Sequence, residues 1–141
     1  MPNSLSWPAR LRPFTAALYL GVVLGVSFIA TPAKFMAPLP LADHLQIGRV
    51  TFSVLQGIEL GLVVALFMVE RRWLGPAIVA ALVLAQFFWL RPLIDARVDV
   101  FVAGDTPEPA PWHHLYVGAE LVKVIVLAVV ALRGTAPPPP R

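Results

Sequence analysis

The sequence has no cysteine among its 141 residues, which excludes disulfide bonds and metal sites built from thiolates. Charged residues make up only 13% of the chain, whereas about a quarter is usual in a soluble domain. The formal net charge of +3 rests on few residues and forms no basic patch of the kind that binds nucleic acid. The P-loop, HExxH and GxSxG motifs are also missing. These absences predict a non-enzymatic protein outside the soluble class, with no nucleic-acid partner.

Apolar residues dominate instead, at 58% of the chain with a mean hydropathy of +0.77. Four apolar segments, residues 14–31, 47–69, 73–90 and 112–132, each approach the roughly 20 residues that a helix needs to cross a bilayer. Because backbone polar groups must be satisfied internally in lipid, each segment is predicted to be a helix. The sequence therefore predicts an all-α fold, a four-helix transmembrane bundle in one integral membrane domain that spans residues 1–141.

The segments between these helices carry their own signals. Three prolines in residues 31–44 predict a bent, extended connection after the first helix. After the third helix, apolar residues recur at helical spacing and predict a short amphipathic outer segment between helices 3 and 4. These residues are Leu93, Ile94, Val98 and Phe101. The sequence GTAPPPPR, residues 134–141, predicts a disordered proline-rich tail.

Basic residues are distributed unevenly between the two ends of the predicted helices. Six fall on the side that holds both termini: Arg10, Arg12, Arg71, Arg72, Arg133 and Arg141. Four fall on the other side: Lys34, Arg49, Arg91 and Arg97. Because cytoplasmic loops carry the excess of Lys and Arg, both termini are predicted to be cytoplasmic. The predicted location is a bacterial inner (plasma) membrane, which the chain crosses several times.

The first apolar segment has a second interpretation as a signal peptide, because two arginines precede it. Cleavage after Ala30 would leave Phe28 where a small residue is preferred, and cleavage after Ala33 would place Pro32 beside the cut. The small-residue rule is poorly met, so we expect the segment to be the first transmembrane helix.

Polar residues form stripes on three of the predicted helices. The stripes consist of Arg49, Ser53, Gln56 and Glu59 on helix 2, Gln86 on helix 3, and Tyr116, Glu120 and Lys123 on helix 4. A helix that faces only lipid would not carry such a stripe, so these faces are expected to meet in the bundle as an intramembrane polar cluster. At 1.5 Å per residue, Glu59 and Lys123 both lie ~15 Å below the outer helix ends. If helices 2 and 4 are neighbours, we expect Lys123 to pair with Glu59, with Glu120 as the alternative or additional partner.

This cluster has two interpretations. Ionisable residues inside a membrane are functional candidates by default. They also hold helices together through hydrogen bonds. Residue spacing alone leaves open whether the cluster is a site or a structural lock.

Three histidines, His44, His113 and His114, fall on the outer side of the predicted helices. With aspartates nearby they offer nitrogen and oxygen ligands for a metal ion, and two histidines on different helices can ligate haem. Their spacing matches no specific metal or haem signature. No cofactor is therefore predicted, and a redox membrane protein that handles a metal ion or haem stays as the alternative function.

The stretch GVSFIATPAKFMAPLPLADHLQIGRVTFSVLQGIEL, residues 25–60, contains a helix that ends in a Pro-x-x-Phe turn at Pro32 and Phe35. The sequence GRVTF follows at the start of the second helix, and PWHHLY leads into the fourth. In these features the chain resembles the small four-helix membrane proteins related to eukaryotic transmembrane protein 205. The resemblance implies four helices and assigns no catalytic residue.

Together these observations predict a small integral membrane protein with a polar intramembrane cavity that opens outward. Such a protein would bind a small ligand or an ion, or serve as an accessory subunit of a membrane complex. Its expected partners are the lipid bilayer, other membrane subunits and a second copy of the chain in a homo-oligomer.

Overall fold

The computed structural model describes residues 7–135 and contains four long helices in that range. The helices are α1, residues 7–34; α2, Leu41–Val69; α3, Leu74–Val102; and α4, Trp112–Thr135. The described residues contain no strand. The all-α four-helix bundle predicted from the sequence is confirmed, and each helix extends beyond its predicted segment at one end or both.

The two ends of the chain are only partly described. Of the tail predicted to be disordered, residues 134 and 135 belong to α4, and residues 136–141 lie outside the described residues. Arg10 and Arg141, two of the six basic residues behind the orientation prediction, have side chains outside the described set.

The outer surface of the bundle is apolar. Ile29, Met68 and Leu132 are 68%, 79% and 71% exposed, and many other large apolar side chains face outward as well. Such a surface would be costly in water, whereas lipid hydrocarbon accommodates it. All four helices are also long and apolar enough to cross a membrane. The chain is therefore a multi-pass membrane protein.

The helices run alternately up and down, and each packs against the next one in the sequence. α1 also packs along α4 in the most extensive contact of the bundle, so the four helices close into a ring. α2 and α4 therefore lie at opposite corners of this ring. We call the end that carries the connections 35–40 and 103–111 the histidine end, because His44, His113 and His114 lie there. The end that carries the turn 70–73 is the turn end.

Two helices contain a π-helical stretch, in which the turns are wider than in an α-helix. It spans Leu24–Ala30 in α1 and Gln86–Leu90 in α3. Each stretch ends two residues before a proline, Pro32 or Pro92. Proline has no N–H, and in an α-helix its ring collides with the carbonyl four residues earlier. The N–H of the residue before each proline, Thr31 or Arg91, donates to the backbone carbonyl five residues earlier and so closes the wider turn. Both helices then continue past their prolines.

This wide turn changes how α3 ends. The predicted amphipathic outer segment is present as Arg91–Val102, but it continues α3 instead of forming a separate helix. The connection after α1 is also shorter than the predicted 31–44, because Thr31–Lys34 is helical and only residues 35–40 link α1 to α2. The continuation of α1 and of α3 has the same cause, since the π-helical stretch allows a helix to pass a proline that would otherwise stop it. The connection is shortened further because α2 begins at Leu41.

An apolar core fills the half of the bundle nearer the turn end. Its buried members come from all four helices: Ala16, Tyr19, Val23, Val63, Leu66, Val79, Val83, Leu127 and Val130. On α2, α3 and α4 these residues lie closer to the turn end than every polar residue of the predicted cluster. The bundle therefore has an apolar half and, toward the histidine end, a polar half.

Two GxxxG motifs, Gly21 with Gly25 and Gly57 with Gly61, predict close approach between helices. This prediction is wrong, because a Cβ added at any of these four glycines would have no heavy atom within 4 Å. Close approach occurs instead at Gly75, where an added Cβ would lie 2.9 Å from a side-chain atom of α4. The GxxxG glycines lie against open space, outside the contacts that hold the bundle together.

Candidate functional site

Three charged side chains meet at the centre of the bundle. The Lys123 ammonium forms an ion pair with Glu59 Oε1 and lies 2.8 Å from Glu120 Oε1. Lys123 and Glu59 are fully buried, and Glu120 is 1% exposed. The predicted pairing of Lys123 with Glu59 is confirmed, and the alternative partner Glu120 is engaged at the same time. We call these three residues the central triad.

The positions of the triad follow from helical spacing and from the reach of a lysine. Glu120 and Lys123 are three residues apart and share one face of α4. Glu59 lies on α2, at the opposite corner of the ring. The side chain of Lys123 therefore reaches across the interior to a helix that is not a neighbour of its own, and the triad joins α2 to α4 through the centre.

The two remaining helices supply hydrogen-bond donors to the triad. Gln86 Nε2 of α3 donates to Glu120 Oε1 at 2.8 Å, and Ser27 Oγ of α1 donates to Glu120 Oε2 at 3.0 Å. The Tyr19 hydroxyl donates to Glu59 Oε1 at 3.3 Å. Sequence reasoning missed Tyr19 and Ser27 because they lie in an uncharged apolar segment. Their spacing of eight residues, two steps of four along one broad helix face, was the available signal.

The triad holds two carboxyl groups against one ammonium, so the two carboxyl groups share one cation. Glu59 Oε2 and Gln86 Oε1 are also buried without a hydrogen-bond partner among the described residues. Leaving a buried acceptor unpaired typically costs about 1–3 kcal/mol. The protein therefore keeps acceptor capacity at its centre that its own donors do not use.

A second polar network lies nearer the histidine end, between α2 and α3, with Arg91 at its centre. The Arg91 guanidinium donates to Asp95 at 3.0 and 3.2 Å, to Gln56 Oε1 at 2.9 Å and to Ser53 Oγ at 2.6 Å. A further bond of 2.6 Å reaches the backbone carbonyl of Arg49. Arg91 is only 8% exposed. A planar guanidinium serves several divergent acceptors at once, which a lysine ammonium does less well. We call this the arginine network.

Arg49 completes the arginine network from α2. It donates to Asp99 Oδ1 at 2.7 Å and to the backbone carbonyl of Asp95 at 2.6 Å. Its Nε lies 3.5 Å from Asp95 Oδ1. Arg49, Ser53 and Gln56 therefore belong to this network and not to the central triad. The single cluster predicted from the stripes is two clusters in the structure.

Sequence reasoning missed Arg91 and Asp95 because it ended the third helix at residue 90. Even in a longer α-helix, Arg91 would lie about 140° around the axis from Gln86, at about 100° per residue. The π-helical stretch Gln86–Leu90 adds a residue to the turn and brings both side chains to the interior, where Gln86 is fully buried and Arg91 nearly so. The signal in the sequence is Pro92, because a helix that continues past a proline needs a wider turn just before it.

A cavity of about 570 Å³ lies among the helices in the half of the bundle nearer the histidine end. Ser27 and Glu120 line its inner end, so it reaches the central triad. Much of its wall is apolar and includes Phe28, Leu45, Phe52, Ile94, Val98 and Val117. Pockets for small molecules typically measure about 300–1,000 Å³ and combine apolar walls with a few polar groups. The cavity has the size and the composition of such a pocket.

Lys34 lines the outer part of this cavity. Its Nζ lies 5.0 Å from the centroid of the Phe35 ring. The ammonium also rests on Gly48 of α2, where an added Cβ would collide with it. Lys34 makes no ion pair and no hydrogen bond through its side chain among the described residues. The absence of a side chain at residue 48 therefore allows an unpaired cation to lie over the cavity.

Tyr116 is the remaining member of the predicted cluster, and it lines the cavity. It is 4% exposed, and its ring meets the Phe52 ring edge-on with the centroids 5.3 Å apart. Its backbone carbonyl accepts a bond of 3.4 Å from Gln86 Nε2. Its hydroxyl has no hydrogen-bond partner among the described residues. Tyr116 thus lies beside the central triad and keeps a hydroxyl group unused.

The three histidines are not gathered into one set of ligands. His44 is buried with its ring 5.1 Å from that of Phe35, whereas His113 and His114 are exposed with their ring centroids 6.3 Å apart. Of the three, His113 lines the cavity. No group of three or more His, Cys, Asp or Glu residues in the described chain is placed to hold a metal ion. The metal site considered as an alternative at these histidines is therefore not assembled among the described residues.

Comparisons with known protein families, with curated proteins and with solved structures found no match. The candidate site accordingly rests on the geometry of the chain itself.

Proposed function

We propose that this protein is a non-enzymatic membrane protein that binds a small ligand in the cavity between its helices, with the opening at the histidine end. The observation that carries the proposal is the cavity of about 570 Å³, which has apolar walls and reaches Glu120. Charged and hydroxyl groups at Lys34, Arg91 and Tyr116 provide the few polar contacts that orient a ligand in such a pocket.

The apolar core supports binding in preference to passage through the bundle. Beyond Lys123, the next inward-facing residues of α4 are Leu127 and Val130, both buried in that core. On α2 the same is true of Val63 and Leu66 beyond Glu59. A path for ions or polar molecules would need polar groups on these faces. The polar groups are therefore reached from the histidine end, as suits a binding pocket.

The proposal is tested by what the purified protein carries. We expect a small molecule, identified by mass spectrometry of extracts, to copurify with the wild type and with Val122→Trp. We expect it to be lost from Val117→Trp, because Val117 lines the cavity and a tryptophan there would fill it. Val122 is 43% exposed, lies on the same helix and is not part of the cavity wall, which makes it the matched control. Equal content in both variants would contradict the proposal.

We also propose that the chain lies in a bacterial inner membrane with both termini in the cytoplasm. Arg71 and Arg72 are exposed in the turn between α2 and α3, where basic residues direct orientation. On the opposite side, Arg49 and Arg91 are engaged with aspartates inside the bundle instead of lying in a connecting loop. At the turn end Arg12 pairs with Glu70 and three basic residues make no ion pair with a described residue, against two at the histidine end, Lys34 and Arg97. This difference supports a cytoplasmic turn end.

Reporter fusions test this orientation. A phosphatase that is active only in the periplasm should be inactive when fused after Leu132 and active when fused near Asp105, because these residues lie at opposite ends of the bundle. The reverse pattern would place the histidine end, and the opening of the cavity, in the cytoplasm.

The number of helices also agrees with a relationship to the proteins around eukaryotic transmembrane protein 205, which we propose on the sequence features given above. The predicted Pro-x-x-Phe turn has its counterpart in the bond of 3.1 Å from the Phe35 N–H to the Pro32 carbonyl.

A further inference from the structure

We infer that the ligand of this cavity is an organic anion, a molecule with one acidic group, carboxylate or phosphate, on an apolar body. The inference rests on the proposed ligand-binding function and adds the charge and the polarity of the ligand. It follows from three features of the wall: the balance of its charges, the type of its unused polar atoms, and the apolar character of the rest.

The charges of the wall leave one cation uncompensated. Three cationic side chains, those of Lys34, Arg49 and Arg91, line the cavity together with two carboxylates, those of Asp95 and Glu120. Both carboxylates are already engaged by cations of the protein, Asp95 by the two arginines and Glu120 by a lysine of the central triad. Of these three cations in the wall, Lys34 is the one that makes no ion pair with a described residue. Positive charge is thus what the cavity offers to a ligand.

The unused polar atoms of the wall include donors. The Tyr116 hydroxyl is buried without a hydrogen-bond partner, and Arg49 Nε has none within hydrogen-bonding geometry, although Asp95 Oδ1 lies 3.5 Å away. The two buried acceptors without a partner in the central region belong to Glu59 and Gln86, and neither residue lines the cavity. A ligand that brings negative charge would therefore complement Lys34 in the wall, whereas the Tyr116 and Arg49 donors are buried and are reached only when neighbouring side chains move.

The remaining wall selects for an apolar body. Its aromatic and aliphatic side chains would leave a small inorganic anion without contact over most of its surface, whereas hydrocarbon would fill the space. The position of Lys34 is itself constrained, since the ammonium rests on Gly48 and any side chain at residue 48 would displace it. An acidic group beside Lys34 and an apolar body against the aromatic and aliphatic side chains of the wall match both features.

The inference is tested with three probes of equal chain length and different head-group charge. The purified protein in phosphatidylcholine nanodiscs is titrated with octanoate, octylamine and octanol, and empty nanodiscs measure partition into the lipid. We expect octanoate to bind most tightly, and its affinity to fall on the order of 10- to 100-fold in Lys34→Met, the range for losing a charged hydrogen bond. Lys34→Arg retains the charge and should retain octanoate binding.

A matched pair of glycine variants tests the position of the cation without removing it. Gly48→Ala should weaken octanoate binding, because its Cβ would collide with the Lys34 ammonium. Gly57→Ala lies on the same helix, where an added Cβ meets nothing within 4 Å, and should bind octanoate like the wild type. Nanodiscs in which phosphatidylglycerol replaces part of the lipid identify the source of the ligand. Competition with octanoate indicates a membrane lipid, and its absence indicates a soluble acid.

The inference is overturned if octylamine or octanol binds the wild type as tightly as octanoate, if Lys34→Met binds octanoate like the wild type, or if none of the probes binds. The proposed function survives the first two results when probe binding is still lost in Val117→Trp and kept in Val122→Trp. It fails together with the inference when no probe binds and no small molecule copurifies.

Discussion

Replacing Lys123 by Met is expected to destabilise the protein by about 3–5 kcal/mol, because it leaves Glu59 and Glu120 buried without their cation. Both carboxylates are at most 1% exposed, so water cannot take the place of the ammonium without opening the bundle. Hydrogen bonds between helices in membranes average only about 0.6 kcal/mol. The larger part of the expected loss therefore comes from uncompensated charge. Reversible unfolding in mixed detergent micelles measures it.

Companion substitutions separate the contributions of the two carboxylates. Adding Glu59→Gln to Lys123→Met should restore part of the stability, and adding Glu120→Gln as well should restore most of it, because no buried charge then remains. Glu59→Gln alone should have a small effect, since it leaves Lys123 paired with Glu120. Lys34→Met is the control for loss of a lysine, because Lys34 is partly exposed and lacks an ion pair among the described residues. If all these variants unfold like the wild type, the triad does not hold the bundle together.

The same variants decide between a structural lock and a site. A lock predicts that stability and ligand content change together. A site predicts that Glu59→Gln, which leaves a one-to-one ion pair, changes the copurified ligand or octanoate binding while unfolding stays as in the wild type. Glu120 is the triad member that lines the cavity, so effects on the ligand should be larger for Glu120→Gln than for Glu59→Gln.

The face and the depth of Glu59 and Lys123 could be predicted because they depend only on local regularities. Helical spacing places each residue on the polar face of its own helix, and the rise per residue gives both the same depth. Their pairing was predicted on the further condition that helices 2 and 4 are neighbours, and this condition is wrong. The order of the helices around the ring was not available in this way, and the pair turned out to join opposite corners of the bundle.

The arginine network and the cavity could not be predicted for two physical reasons. The π-helical stretch in α3 rotates everything after Gln86, so a face counted with the α-helical period assigns Arg91 to the wrong side. The position of Lys34 depends on a long-range contact with Gly48 of another helix, which no periodicity reports. For the three histidines, a shared position on one side of the membrane does not bring their side chains together.

Replacing Arg91 by Met should destabilise the protein by about 1–3 kcal/mol, less than Lys123→Met, because it removes hydrogen bonds from largely buried acceptors, whereas Asp95 is 30% exposed and keeps Arg49 nearby. The acceptors that lose their donor are Gln56, Ser53 and the backbone carbonyl of Arg49. Arg91→Lys keeps the charge but lacks the planar fork that serves these acceptors, so its stability should fall between that of Arg91→Met and the wild type. Unfolding in detergent micelles, as for Lys123→Met, provides the measurement.

Arg97→Met is the matched control, because Arg97 lies on the same part of α3 and makes no ion pair or side-chain hydrogen bond in the part of the chain that the structure describes. It should leave stability nearly unchanged. If Arg91→Met and Arg97→Met unfold alike, the arginine network does not join α2 to α3. If Arg91→Lys is as stable as the wild type, the positive charge alone is sufficient and the divergent geometry of the guanidinium is not required. If Arg91→Met lowers stability as expected and also releases the copurified ligand, the network both holds the two helices and shapes the wall of the cavity between them.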